Sequence, residues 1–156
     1  NLVVDEWLWA DLSGVNEEDK LGSQAQTGRF LQAVFKKCDR IVIVKGSRFA
    51  QKAFDFWKQS TDRERKEVAK FCKDSIWFNS LKSAHLAASD LANLPESLAQ
   101  EIKQDDHYLV QAYFAAQATA LITTDTPLKD TLTRHGISCH HRDEFLRSYP
   151  ANVASP

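Results

Sequence analysis

At 156 residues and 43% hydrophobic composition, the chain is sized for one domain with a substantial core. Its formal net charge of -1 excludes a molecule that holds nucleic acid by bulk charge, so any such binding falls to a local patch. No apolar run approaches the roughly 20 residues of a membrane span, and no signal peptide is visible, so no membrane partner is expected.

Asn1 to Asp5 reads as a short buried strand ending in an acid, and Trp7, Leu8 and Leu12 then follow at helical spacing. Ser13 to Thr27 is polar and predicts a loop. Gly28 to Cys38 predicts an amphipathic helix from Phe30, Leu31, Val34 and Phe35. Arg40 to Val44 is a second strand, buried on both faces. Gly46-Ser47 turns the chain into a helix with the apolar stripe Phe49, Ala50, Ala53, Phe54 and Trp57. Thr61 to Cys72 is a charged helix capped by Thr61 or Asp62. Asp74 to Leu94 is ambiguous, since Ile76, Trp77, Phe78 and Leu81 fit either a short strand or a helix start.

Beyond Pro95, Glu96 to Lys103 predicts a helix, and Asp105 or Asp106 opens the next one. Thr119 to Thr123 predicts a strand, Pro127 to Arg134 a helix, Ile137 to His140 a last strand and Asp143 to Tyr149 a terminal helix. This alternation predicts an α/β fold, a three-layer α/β/α sandwich around a mostly parallel sheet. It occupies residues 1–149, with 150–156 expected as a disordered tail.

In such a sheet, ligands bind beyond the carboxyl ends of the strands. Asp5 and Asp125 each follow an apolar strand, and Asp106 stands at a helix start, where it can face the same crevice. Any one of these acids alone is more often a turn residue or helix cap. Three together repel one another unless a cation joins them, and hard oxygen ligands suit Mg²⁺ or Mn²⁺. Such a centre is suited to phosphodiester hydrolysis.

The segments Val3-Val4-Asp5, Asp106-x-x-Leu109 before an alanine-rich helix, and Leu121-Ile122-Thr123-x-Asp125-x-x-Leu128 resemble PIN-domain (PilT N-terminus) nucleases. The closing Gly136-Ile137-Ser138 to Glu144-Phe145-Leu146 segment is also similar to that family's last strand and helix. The resemblance implies a PIN-like domain acting as a metal-dependent endoribonuclease, with Asp5, Asp106 and Asp125 as metal ligands and Thr123 placing a ligand or water. It also implies RNA as substrate, an antitoxin protein as a partner in the manner of toxin–antitoxin pairs, and a homodimer.

Two acids of that family pattern are missing. The helix after the second strand, from Lys45 to Ala53, holds none, and the position two after Asp125 is Pro127. The remaining cluster is three aspartates, helped by Asp105. The same stretch supplies Lys45, Arg48 and Lys52, which point either to RNA contact or, for Arg48 or Lys52, to a cation entering the crevice and weakening metal binding. The alternative reading is therefore a catalytically weak PIN-like module that binds RNA or protein. A flavodoxin-like regulator with an acidic pocket is a third, for which the expected lysine at a strand end is absent.

Three features belong elsewhere. Cys38, Cys72 and Cys139 are scattered and odd in number, which fits a reducing, cytoplasmic compartment and buried thiols. His135, His140 and His141 read as surface or strand-end residues, because strand alternation sends His140 and His141 to opposite faces. Trp7, Trp9, Trp57 and Trp77 read as core or interface anchors, Trp9 being a candidate for exposure to a partner.

Overall fold

The structure, a computed structural model, describes residues 1–14 and 20–149 (for residue 20, the backbone). The expected tail at 150–156 and the middle of the expected loop lie outside them. The elements are β1 (Leu2–Val4), α1 (Trp7–Ser13), α2 (Lys20–Lys36), β2 (Ile41–Val44), α3 (Arg48–Gln59) and α4 (Arg63–Phe71). A π-helical turn over Cys72–Trp77 leads to β3 (Ser83–Leu86). Then come α5 (Glu96–Glu101), α6 (His107–Ala115), β4 (Ala120–Thr123), α7 (Thr126–Arg134), β5 (Cys139–His141) and α8 (Arg142–Ser148).

The strands form one sheet in the order β3-β2-β1-β4-β5, and every pair is parallel. Strand alternation divides the core. Leu2, Val4, Ile41, Ile43, Ala120 and Ile122 face one layer, where α1, α2, α3 and α8 pack through Leu8, Phe30, Phe49 and Leu146. Val3, Val42, Val44, Leu121 and Cys139 face the other, against Leu98 of α5, Leu109 of α6 and Leu128 of α7. The result is the three-layer α/β/α sandwich expected, with a wholly parallel sheet. Among the described residues no helix is long and apolar enough to cross a membrane.

Local signals explain most boundaries. The Ser47 side chain accepts a hydrogen bond from the Ala50 amide and starts α3. Of the two caps expected for α4, Asp62 serves, accepting from the Arg65 amide at 2.8 Å. His141 caps α8 through Nδ1, which accepts from the Asp143 amide at 3.3 Å.

Four expectations are corrected. The polar segment expected as a loop is helical from residue 20, because polar rather than apolar contacts hold the start of α2. Fully buried Thr27 donates to Asp11 at 2.9 Å, and Gln24 donates to the Leu12 carbonyl at 3.2 Å. The strand in the ambiguous region is β3, at Ser-Ala-His-Leu, downstream of the aromatic residues that suggested it. It is an edge strand with only Ser83 buried, so backbone pairing with β2 defines it and no apolar run marks it. Trp9 is buried, not exposed, with its ring 5.3 Å from Phe49 and 6.3 Å from Trp77. Cys38 is exposed, while Cys72 and Cys139 are buried.

Candidate active site

The strand order reverses between β1 and β4, and the chain continues outward from that point on both sides. A crevice at the carboxyl ends of these two strands follows from the topology. Asp5 leaves β1 held by its own backbone, whose amide donates to the Ile122 carbonyl of β4 at 3.1 Å. Thr123, the last residue of β4, is fully buried. Its hydroxyl donates to Asp5 Oδ2 at 2.8 Å and accepts from the Asp125 amide at 3.0 Å. One threonine thus orients both strand-end aspartates.

The aspartates differ in how their oxygens are used. Asp125 Oδ1 accepts from the Leu128 amide at 2.9 Å and caps α7, while Oδ2 accepts from Lys103 Nζ at 3.0 Å. The Leu128 amide, then Lys103, hold its carboxyl below the usual carboxylate range. Asp5 Oδ1 accepts from the Glu6 amide.

Asp106 stands one residue before α6 in the N-cap position, yet its side chain makes no capping bond. Among the described residues its carboxylate has no hydrogen-bond donor. Burial, and then the charges of Asp5 and Asp125, push its pKa up. The bland cap role therefore fits Asp125 and not Asp106. Asp105 is turned to the surface, paired with Arg48 at 3.1 Å.

A fourth acid in the crevice carries no prior expectation. Glu6, immediately after Asp5, accepts from Tyr108 at 3.1 Å and lies 3.5 Å from Arg48 Nε. Burial, then Asp5, raise its pKa from 4.5 to about 7. The phenol of Tyr108 is in turn pushed up by burial and by Glu6. The signal in the sequence was an acid adjoining a strand-end acid; its side chain reaches the crevice because the chain turns into α1 there.

The basic residues sort differently from expectation. The lysine on the aspartates is Lys103, from the loop before α6, and not Lys52. Arg48 reaches the rim through Glu6 and Asp105. Lys45 and Lys52 are exposed, and neither forms an ion pair among the described residues. A cleft of about 530 Å³ opens beside Asp5 and Glu6, lined also by Asp11, Lys52, Thr124 and Arg142. Asp106, Asp125 and Lys103 line a separate hollow of about 70 Å³.

The donor set is all oxygen and net negative, which is the chemistry Mg²⁺ or Mn²⁺ requires. Among the described residues, however, no three acid, histidine or cysteine side chains are already gathered as a ligand group. The histidines contribute nothing here. His135 pairs with Glu101 at 3.1 Å, and His140 contacts the Phe145 ring. Compared with protein-family models, curated proteins and solved structures, the chain matches none.

Proposed function

We propose that the chain is a metal-dependent endoribonuclease of the PIN type, hydrolysing RNA phosphodiester bonds at the crevice of Asp5, Asp106 and Asp125. One observation carries the reading. Asp106 is a half-buried carboxylate without a hydrogen-bond donor among the described residues, and burial together with the charges of Asp5 and Asp125 raises its pKa. Carboxylates outnumbering their counter-charges at a topological switch point are what a divalent cation relieves.

Asp5, Asp106 and Asp125 would hold Mg²⁺ or Mn²⁺, which when bound neutralises a phosphate and lowers the pKa of a water. The chain's own residues do the rest. Thr123 fixes the Asp5 carboxylate by hydrogen bond and the Asp125 backbone by accepting its amide. Arg48 ties Glu6 in the crevice to Asp105 at the surface, contacting both carboxylates. The choice of RNA over DNA rests on the sequence resemblance.

The test is a labelled single-stranded RNA incubated with the protein and Mn²⁺. Cleavage is expected from the wild type, and a loss on the order of a hundredfold or more from Asp5→Asn, Asp106→Asn and Asp125→Asn. Undiminished cleavage by Asp106→Asn would overturn the reading. A specific contact favours the second reading, a weakly catalytic binding module: Lys103 Nζ, 3.0 Å from Asp125 Oδ2, already supplies a counter-charge. RNA retained in a gel shift without cleavage by the wild type would select it.

A further inference from the structure

We propose that the exposed aromatic face made by Phe54, Trp57 and Phe78 is a stacking subsite for the bases of a single-stranded RNA. The inference rests on the RNA-directed reading above and adds where the strand runs. α3 links the two regions. Its first residue, Arg48, is tied to Glu6 and Asp105 at the acidic crevice. Lys52, one turn on, lines the cleft beside Asp5. Phe54 follows about 9 Å along the helix axis from Arg48, and Trp57 about 14 Å, within the span of a short oligonucleotide.

Large rings are left in water at the far end. Phe54 is 47% exposed and Phe78 65%, while Trp57 is half-buried. Phe54 and Trp57 are in ring contact, and Lys73 joins Phe78 to them. Phe54 meets Trp57 edge-on at 5.2 Å, and both abut the buried Trp77, at 5.7 and 5.0 Å. Lys73 Nζ bridges the Trp57 and Phe78 rings, 6.0 and 5.9 Å from their centroids. Exposing this much aromatic surface stabilises nothing in the free chain, and an exposed patch marks an interaction site.

Charge selects the occupant. Lys73 sits over these rings, Lys58 follows Trp57 on the exposed side of α3, and neither forms an ion pair among the described residues. Of the nearby acids, Asp74 is taken by Lys70 at 2.8 Å, which leaves Asp55 of α3 against the two lysines. Protein interfaces are enriched in aromatic residues but depleted in lysine. Aromatic platforms interleaved with free cations are the arrangement that binds single strands, with bases on the rings and phosphates on the lysines.

The experiment is an anisotropy titration of a short fluorescein-labelled single-stranded RNA with the full chain, in EDTA so that no cleavage occurs. Phe54→Ala and Phe78→Ala, both at exposed positions, are each expected to weaken binding about tenfold. Phe54→Trp should restore it, and Lys73→Ala should lower the salt dependence by about one phosphate contact. RNA should quench tryptophan fluorescence in the wild type and much less in Phe54→Ala. Equal affinity for a duplex of the same sequence would overturn the subsite, as would unchanged RNA affinity in both alanine variants. In those cases metal-dependent cleavage, measured separately, still stands or falls alone. A dimer seen by sedimentation and dissociated by Phe78→Ala, with RNA affinity unchanged, would assign the face to a second copy and also overturn it. Absence of any RNA binding removes this inference and the RNA reading together.

Discussion

Asp11 and Asp5 line the same cleft but live under opposite electrostatic conditions. Asp11 is the more deeply buried, at 3% exposure. Its Oδ2 accepts from Thr27 at 2.9 Å and from Arg142 Nε at 2.7 Å, while Arg142 Nη2 makes a further ion-pair contact with the same oxygen rather than a second aligned hydrogen bond. Arg142 also packs over the Trp7 ring. Asp5 shares its crevice with Asp106 and Glu6, and both of those neighbours are pushed toward the neutral form. Depth of burial therefore does not mark the site. What marks it is carboxylates that raise a neighbour's pKa in spite of Lys103 and Arg48 nearby.

The largest expected effect breaks the compensated side. Arg142→Met strands the Asp11 carboxylate with Thr27 alone and should cost about 3–5 kcal/mol, read from urea denaturation at unchanged slope. A loss under about 1 kcal/mol would mean that Asp11 is no better matched than the crevice acids.

The next sharpens the uncompensated side. Glu6 has a folded pKa of about 7 against 4.5, so the folded chain binds its proton more tightly than the unfolded chain does. Stability should then fall as pH rises from about 4.5 to about 7 and stay low above that. Allowing for solvent screening, the decline is about 1–2 kcal/mol. Denaturation midpoints across this window should flatten in Glu6→Gln, leaving only a residual slope of the same sign from Asp106. Asp125, with its lowered pKa, acts in the opposite sense: its contribution is present above 3.8 and disappears at more acid pH. An unchanged slope in Glu6→Gln would contradict the account of the crevice.

Smaller in size is the contrast between two aspartates of equal standing in the sequence. Asp125→Ala removes the cap of α7 and should cost about 1 kcal/mol. Asp106→Ala removes a repelled carboxylate that caps nothing and should leave the chain as stable or more so, by thermal denaturation. Both should abolish metal-dependent cleavage. Equal destabilisation would show Asp106 to be an ordinary structural acid.

The sequence carried the layers and the strand-end acids because apolar runs such as Ile41–Val44 and Ala120–Leu121–Ile122 declare parallel strands directly. It also carried Asp5, Thr123 and Asp125 as neighbours, since they stand at the ends of adjacent strands and Thr123 bonds to both aspartates. It did not carry β3, which lies at the sheet edge and has no apolar run. Nor did it carry Glu6, which differs from any surface glutamate only through the turn after β1. Asp11 and Arg142, 131 positions apart, are joined purely by tertiary packing. The lysine in the crevice was expected from α3, where the basic residues cluster in sequence. It comes instead from the loop that delivers Asp106, where Lys103 Nζ reaches Asp125 at 3.0 Å.

That reassignment yields the smallest effect and the most direct one. Lys103 reaches Asp125 from an exposed position, 73% open to solvent, so the pair is a screened one. A cation binding at Asp125 must displace it, and Lys103→Ala should tighten Mn²⁺ binding roughly two- to fivefold by titration calorimetry. The gain should shrink as salt is raised, since added ions screen the ammonium. Lys52→Ala should change nothing, because Lys52 faces the cleft without pairing. Were Lys52→Ala to tighten Mn²⁺ binding while Lys103→Ala did not, the cation would sit on the α3 side, among Asp5, Glu6 and the cleft. Asp125 would then be a helix cap only, and Asp5 and Glu6 would be the metal-holding acids.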